Sequence, residues 1–159
     1  KDNLDSIFDK VYSYASKLNE VYVANNYSDQ SISGCQDLLI VILGISQFKN
    51  KLSKDNQEKL EKFMELLKDI RKVSCVIIDT IDNIKQFEYE AWYKSTVTNN
   101  YGVWIGDGIS DQFTIKLSKN PKYIKEDIGN GFGYSIKKGN PILIKVLSDS
   151  VVDNGDIDE

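Results

Sequence analysis

Two aspartates three residues apart, Asp79 and Asp82, directly follow the apolar run Cys75-Val76-Ile77-Ile78 and are the first candidates for metal chemistry. Carboxylates in that place can hold a divalent cation, although acids at a strand-to-helix junction more often cap the helix and turn the chain. After the other fully apolar run, Leu38 to Leu43, the matching positions are Gly44, Ile45, Ser46 and Gln47. A nucleotide hydrolase needs acids there to hold magnesium and orient water, and glycine and isoleucine do neither. Gly106-Asp107-Gly108 with Asp111 resembles a phosphate or calcium loop only superficially: it lacks the Lys-Ser/Thr of a P-loop and the spaced ligands of an EF-hand, and it reads as a turn. Gly129-Asn130-Gly131-Phe132-Gly133 departs from dinucleotide-binding spacing and follows no parallel strand, so it too reads as a glycine turn. The 159 residues contain no histidine, which removes Ser-His and Cys-His nucleophile pairs and most zinc sites at once. A metal-dependent hydrolase would have to rest on Asp79, Asp82, Asp107 and Asp111.

The elements that position these groups are read from hydrophobic spacing. Leu4, Ile7, Phe8, Val11, Ala15, Leu18 and Tyr22 mark one face of an opening helix, and the polar stretch from Asn25 to Gly34 marks a loop. Leu38 to Leu43 has no polar alternation, which predicts a central parallel strand covered on both faces. Ser53 is a candidate N-cap for a crossover helix whose face is Leu60, Phe63, Met64, Leu67 and Ile70, ending near Arg71 and Lys72. Cys75 to Ile78 is a second strand, and Asn83 is expected to cap a third helix with Ile84, Phe87 and Ala91 inside. On that helix Tyr89 and Tyr93 form an i, i+4 pair, which either covers a loop or offers an aromatic partner site. Strand, helix, strand, helix implies a right-handed parallel α/β layer. Short strands follow at Val103 to Ile105, Phe113 to Leu117, Gly133 to Ile136 and Ile142 to Leu147, the last two joined by the hairpin turn Lys137-Lys138-Gly139-Asn140.

Composition sets the class. The net charge is -4, with 41% hydrophobic residues, and Asp149, Asp153, Asp156, Asp158 and Glu159 leave about +1 on everything before them. The near-neutral body speaks against a nucleic-acid reader, whose phosphate contacts call for a basic excess. Residues 1–148 are read as one domain and 149–159 as an acidic, disordered tail. Cys35 and Cys75 are expected to be reduced, partly buried small residues. No apolar run reaches the roughly 20 residues of a membrane helix, and Lys1 in place of Met suggests a piece of a longer polypeptide.

Laid end to end, the order of elements resembles the second half of a RecA-like motor domain of the FtsK/SpoIIIE type. The features that carry the resemblance are the strand Leu38 to Leu43, a helix ending in Lys68-Asp69-Ile70-Arg71-Lys72, and the strand Cys75 to Ile78. Gly102 to Phe113, together with Asp127-Ile128-Gly129 and Phe132-Gly133-Tyr134, looks most like the C-terminal ATPase-like domain of EssC-type coupling ATPases of type VII secretion. The resemblance implies a three-layer α/β sheet with helices on both faces, a partial P-loop NTPase fold lacking the Walker A half. Gly44 and Ile45 fall where that family's Walker B acids belong, and Ile81 falls near its sensor glutamine, so the implied domain is degenerate. It would bind no ATP or magnesium itself, although the parent protein would. Its implied partners are a segment of a secreted protein and neighbouring ATPase domains of the same chain, at the cytoplasmic face of the membrane and without membrane insertion. Tyr89 and Tyr93, then Trp104, are the partner-binding candidates. The alternative reading is a DNA-translocase fragment that handles nucleic acid.

Overall fold

The structure is a computed structural model that describes residues 3–97, 99–119 and 121–146. It is mixed α/β and separates into two compact units, Lys1–Val97 and Thr98–Glu159, where the sequence suggested one body. The acidic tail and Leu147 lie outside the described residues.

In the first unit, helix α1 (Leu4–Ala24) starts at Asn3, whose side-chain oxygen accepts from the Asp5 N–H. Strand β1 (Leu38–Leu43) is followed at once by a short helix α2 (Ile45–Lys51), then by α3 (Lys54–Leu66) and strand β2 (Val73–Ile78). Ser53 caps α3 as its position implies, accepting from the Asn56 N–H. Asp5 ties the two long helices together: its carboxylate accepts from the Ser53 N–H at 2.9 Å, the Ser53 hydroxyl at 3.0 Å and Asn56 Nδ2 at 2.8 Å. Phe8, Phe63, Leu60, Met64, Ala15 and Leu18 fill the seam, with Phe8 edge-on to Phe63 at 5.9 Å.

β1 and β2 pair in parallel from Leu38 opposite Val73 to Leu43 opposite Ile78, and form a two-stranded sheet. Leu38, Ile40 and Ile42 with Val73, Cys75 and Ile77 turn towards the core. The expectation that this run is covered on both faces is corrected here. Leu39, Val41 and Leu43, in register with Ser74, Val76 and Ile78, form the opposite face, and its five apolar members are 44% to 72% exposed. The third helix is also corrected. It is two helices, α4 (Ile81–Lys85), starting after Thr80 instead of Asn83, and α5 (Ala91–Thr96). Between them the backbone tightens to three-residue turns, with Gln86, Phe87, Glu88 and Glu90 each donating to the carbonyl three residues back. The Glu90 carboxylate is engaged by Lys49 Nζ at 3.2 Å and by the Trp92 indole N–H, which holds the break in place.

The second unit is an antiparallel sheet in the order β3 (Tyr101–Ile105), β4 (Phe132–Lys137), β5 (Asn140–Lys145). Ile109, Ile124, Tyr134 and Ile136 are its buried core. The β4–β5 turn is formed as the sequence implies. Lys138 and Gly139 both have positive φ, at 53° and 74°, as a two-residue hairpin of the primed type requires. A Cβ on Gly139 would lie 2.6 Å from the Ser118 nitrogen and 2.9 Å from the Lys116 carbonyl oxygen, so the close approach of that segment also demands glycine. The strand expected at Phe113 to Leu117 does not form. The Gln112 side chain takes the ladder's place, accepting from the Ile115 N–H at 2.7 Å and donating to the Ile115 carbonyl at 3.1 Å. The described residues thus form a small two-stranded parallel sheet and a separate three-stranded antiparallel sheet.

Candidate functional site

In parallel α/β sheets chemistry sits beyond the carboxyl ends of the strands, and in this chain that place is Gly44 to Gln47 and Asp79 to Asn83. Gly44 adopts φ 71°, donates its N–H to the Ile78 carbonyl at 2.9 Å and starts α2. This left-handed turn sends the chain from strand to helix and explains why a glycine stands there. Ile45 is 1% exposed and belongs to the core. Gly44 and Ile45 therefore present no side chain able to ligate magnesium.

Asp79 is the one acid drawn into this junction. Its Oδ1 accepts from the Thr80 N–H at 2.8 Å and from Asn83 Nδ2 at 2.7 Å. Its Oδ2 is shielded from solvent and faces the first N–H groups of α2, at Ile45 and Ser46, without a close hydrogen bond. Burial works against its ionisation, but Asn83 and the N–H groups of Thr80, Ile45 and Ser46 outweigh that and hold the carboxyl below its usual value. Asp79 thus ties the end of β2 to α4. Asp82 points away, 87% exposed at its side chain, and pairs with Lys85 at 3.5 Å. Ser46 Oγ, also shielded, has no hydrogen-bond partner among the described residues.

The four-aspartate arrangement considered from sequence is divided between the units. Among the described residues no three or more His, Cys, Asp or Glu side chains converge as a metal group. Asp107 accepts from the Ile128 N–H at 3.0 Å, and Asp111 accepts from the Ser110 hydroxyl at 3.0 Å. The first ties together two loops 21 residues apart in sequence, and the second is a contact between neighbours in a turn.

The aromatic candidates separate as well. With the helix broken, Tyr89 lies in the turn and Tyr93 on α5, so they do not share a helical stripe. Tyr89 is 84% exposed, with Lys94 Nζ 5.6 Å from its ring. Tyr93 is 6% exposed and edge-on to Trp92, and burial raises its phenol. Trp104 packs on the second unit's core and donates its indole N–H to the Asp107 carbonyl at 2.8 Å. Of the three, Tyr89 alone offers a free aromatic surface. Both cysteines are free thiols, and burial pushes Cys75 up to about 11.

Sequence reasoning missed the bare face of the β1–β2 sheet and the helix α2. The spacing Ile45, Phe48, Leu52 behind Gly44 carried a signal for α2. No sequence signal marks the bare face, because its residues are the same aliphatic types as those inside.

Among the described residues, no helix is long and apolar enough to cross a membrane. Comparison with protein-family models, with curated proteins and with solved structures finds no match.

Proposed function

We propose that this chain is a non-catalytic docking or regulatory domain of a type VII protein-secretion ATPase of the FtsK/SpoIIIE type, binding a segment of a secreted protein. The observation that carries the reading is the charge-free face of Leu39, Val41, Leu43, Val76 and Ile78. Parallel sheets are normally covered on both faces, and a contiguous apolar patch on a soluble surface marks an interaction site. The strand ends fit this role. Gly44 and Ile45 stand where catalytic acids would be needed, and Asp79 is occupied at the β2–α4 junction. RecA-like architecture and a place at the cytoplasmic membrane face belong to the same proposal and rest on the resemblance.

The test is a titration of the chain with secreted substrate proteins, run beside ATP turnover with magnesium and duplex DNA binding at two salt concentrations. Substrate binding should weaken about tenfold or more when Val41→Asp and Leu43→Asp are combined, with the far-ultraviolet circular dichroism unchanged. ATP turnover that is lost in Asp79→Asn would overturn the reading in favour of a hydrolase. Tight, salt-sensitive DNA binding without substrate binding would replace it with the translocase alternative.

A further inference from the structure

The two outer edges of the antiparallel sheet are built differently, and the hydrogen-bond register says which backbone groups each edge turns outwards. Gly106 N–H donates to the Phe132 carbonyl at 3.0 Å, which makes Gly106 and Phe132 a hydrogen-bonded pair. Such pairs alternate along an antiparallel ladder, so Trp104 with Tyr134 and Gly102 with Ile136 are bonded pairs, while Tyr101, Val103 and Ile105 stand in non-bonded pairs. The N–H and C=O groups of Tyr101, Val103 and Ile105 therefore point away from β4. No backbone hydrogen bond to another described residue engages them.

On the other side, Val146 N–H donates to the Gly131 carbonyl at 2.7 Å, which by the same alternation turns Pro141, Leu143 and Lys145 outwards on β5. That edge is guarded: Pro141 has no N–H, its carbonyl accepts from the Tyr123 hydroxyl at 2.8 Å, and Lys145 carries charge. β3 has no proline and no charged residue. Its outward-facing residues also expose their side chains, 45% to 66%, on one face of the sheet.

Charge gives the open edge a direction. At its Tyr101 end lie three exposed lysines: Lys137 opposite Tyr101, Lys138 next to it, and Lys116, whose N–H donates to the Asn99 carbonyl at 2.8 Å. None of the three is in a salt bridge among the described residues. At the other end Asp107 follows Ile105 by two residues.

We infer that the β3 edge receives an extended peptide as an added strand, with apolar side chains at alternate positions and acidic residues at the end lying against Lys116, Lys137 and Lys138. Main-chain bonds to Val103 and its neighbours supply the affinity, and the exposed Val103 and Ile105 side chains with the lysines supply the selection. The inference goes beyond the docking role proposed above: it concerns the β3 edge, a surface separate from the β1–β2 face.

The probe is a synthetic peptide of about six alternating valine and threonine residues, made in two forms with an aspartate pair at one end or the other, titrated against the full chain. One form should bind better than the other, which fixes the direction of the added strand. Val103→Pro removes an outward N–H without touching the β4 ladder and should weaken binding about tenfold or more. N-methylation of alternate peptide amides should do the same to binding by the unaltered chain, so the test stands even where Val103→Pro does not fold. Exchanging the aspartates for lysines should weaken binding, and Lys137→Glu combined with Lys138→Glu should restore it. Equal binding by Val103→Pro and by N-methylated peptide, or no binding of either form at millimolar peptide, would overturn the inference. Peptide binding without binding of secreted substrates would retain the inference and remove the secretion reading instead.

Discussion

The parallel pair β1–β2 and the antiparallel sheet β3–β4–β5 each leave apolar surface open, and they do so for different reasons. The parallel pair rests on a large aliphatic and aromatic core on one side, and its opposite face carries the same residue types with nothing over them among the described residues. The antiparallel sheet has a small core of Ile109, Ile124, Tyr134 and Ile136, and is fastened by the Lys138-Gly139 turn and by bonds such as that of the Tyr123 hydroxyl to the Pro141 carbonyl. Among the described residues, the first lacks a cover for a face and the second a neighbour for an edge. A face attracts apolar side chains of any secondary structure, whereas an edge selects an extended backbone.

The comparison breaks first where packing dominates. Phe63→Ala should destabilise the first unit by about 3 to 5 kcal/mol, because Phe63 is buried between α1, α3 and the ring of Phe8. Chemical denaturation followed by hydrogen exchange should show the loss in residues 3–97 and little change in β3 to β5. Next comes the register of the second unit. Gly139→Val places a β-branched residue at φ 74° and drives its Cβ into the backbone at Ser118, and should cost about 2 to 3 kcal/mol there.

Asp79→Ala tests the junction at the strand ends and should cost about 1 to 2 kcal/mol, the order expected for losing hydrogen bonds to a partly exposed charged acceptor. The sign of its pH dependence follows from the lowered carboxyl. Its stabilisation is present above the ordinary carboxylate value of 3.8 and fades as pH falls through the lowered folded-state value. Acid titration of stability should therefore be steeper for the unaltered chain than for Asp79→Ala. The smallest effect belongs to the bare face, where Leu43→Ser should change stability by no more than about 0.5 kcal/mol, since its side chain is already in water. A larger loss would mean that Leu43 has a packing role.

Local patterns were legible in the sequence wherever the determinants are local. The spacing of α1, the Ser53 cap, the two apolar strands and the Lys138-Gly139 turn are each set by a few neighbouring residues, and all four form. The failures lie where a distant or competing partner decides. Periodicity joined Ile84, Phe87 and Ala91 into one helix, but Lys49 and Trp92 hold Glu90 in a turn. Alternation suggested a strand at Phe113 to Leu117, but Gln112 supplies the backbone partners a strand would have given. At the site, the acid-free ends Gly44 and Ile45 were readable by residue type alone. The separation of Tyr89 from Tyr93 was not, because it follows from the helix break.

The central claim, that the β1–β2 face is the docking surface, is tested most directly by methyl-resolved nuclear magnetic resonance of the full chain during addition of a secreted substrate protein. The account predicts perturbed methyl signals at Leu39, Val41, Leu43, Val76 and Ile78, with the inward-facing Ile40, Ile42 and Ile77 much less affected. Substrate-saturated chain with the five outward methyl groups unchanged would contradict it.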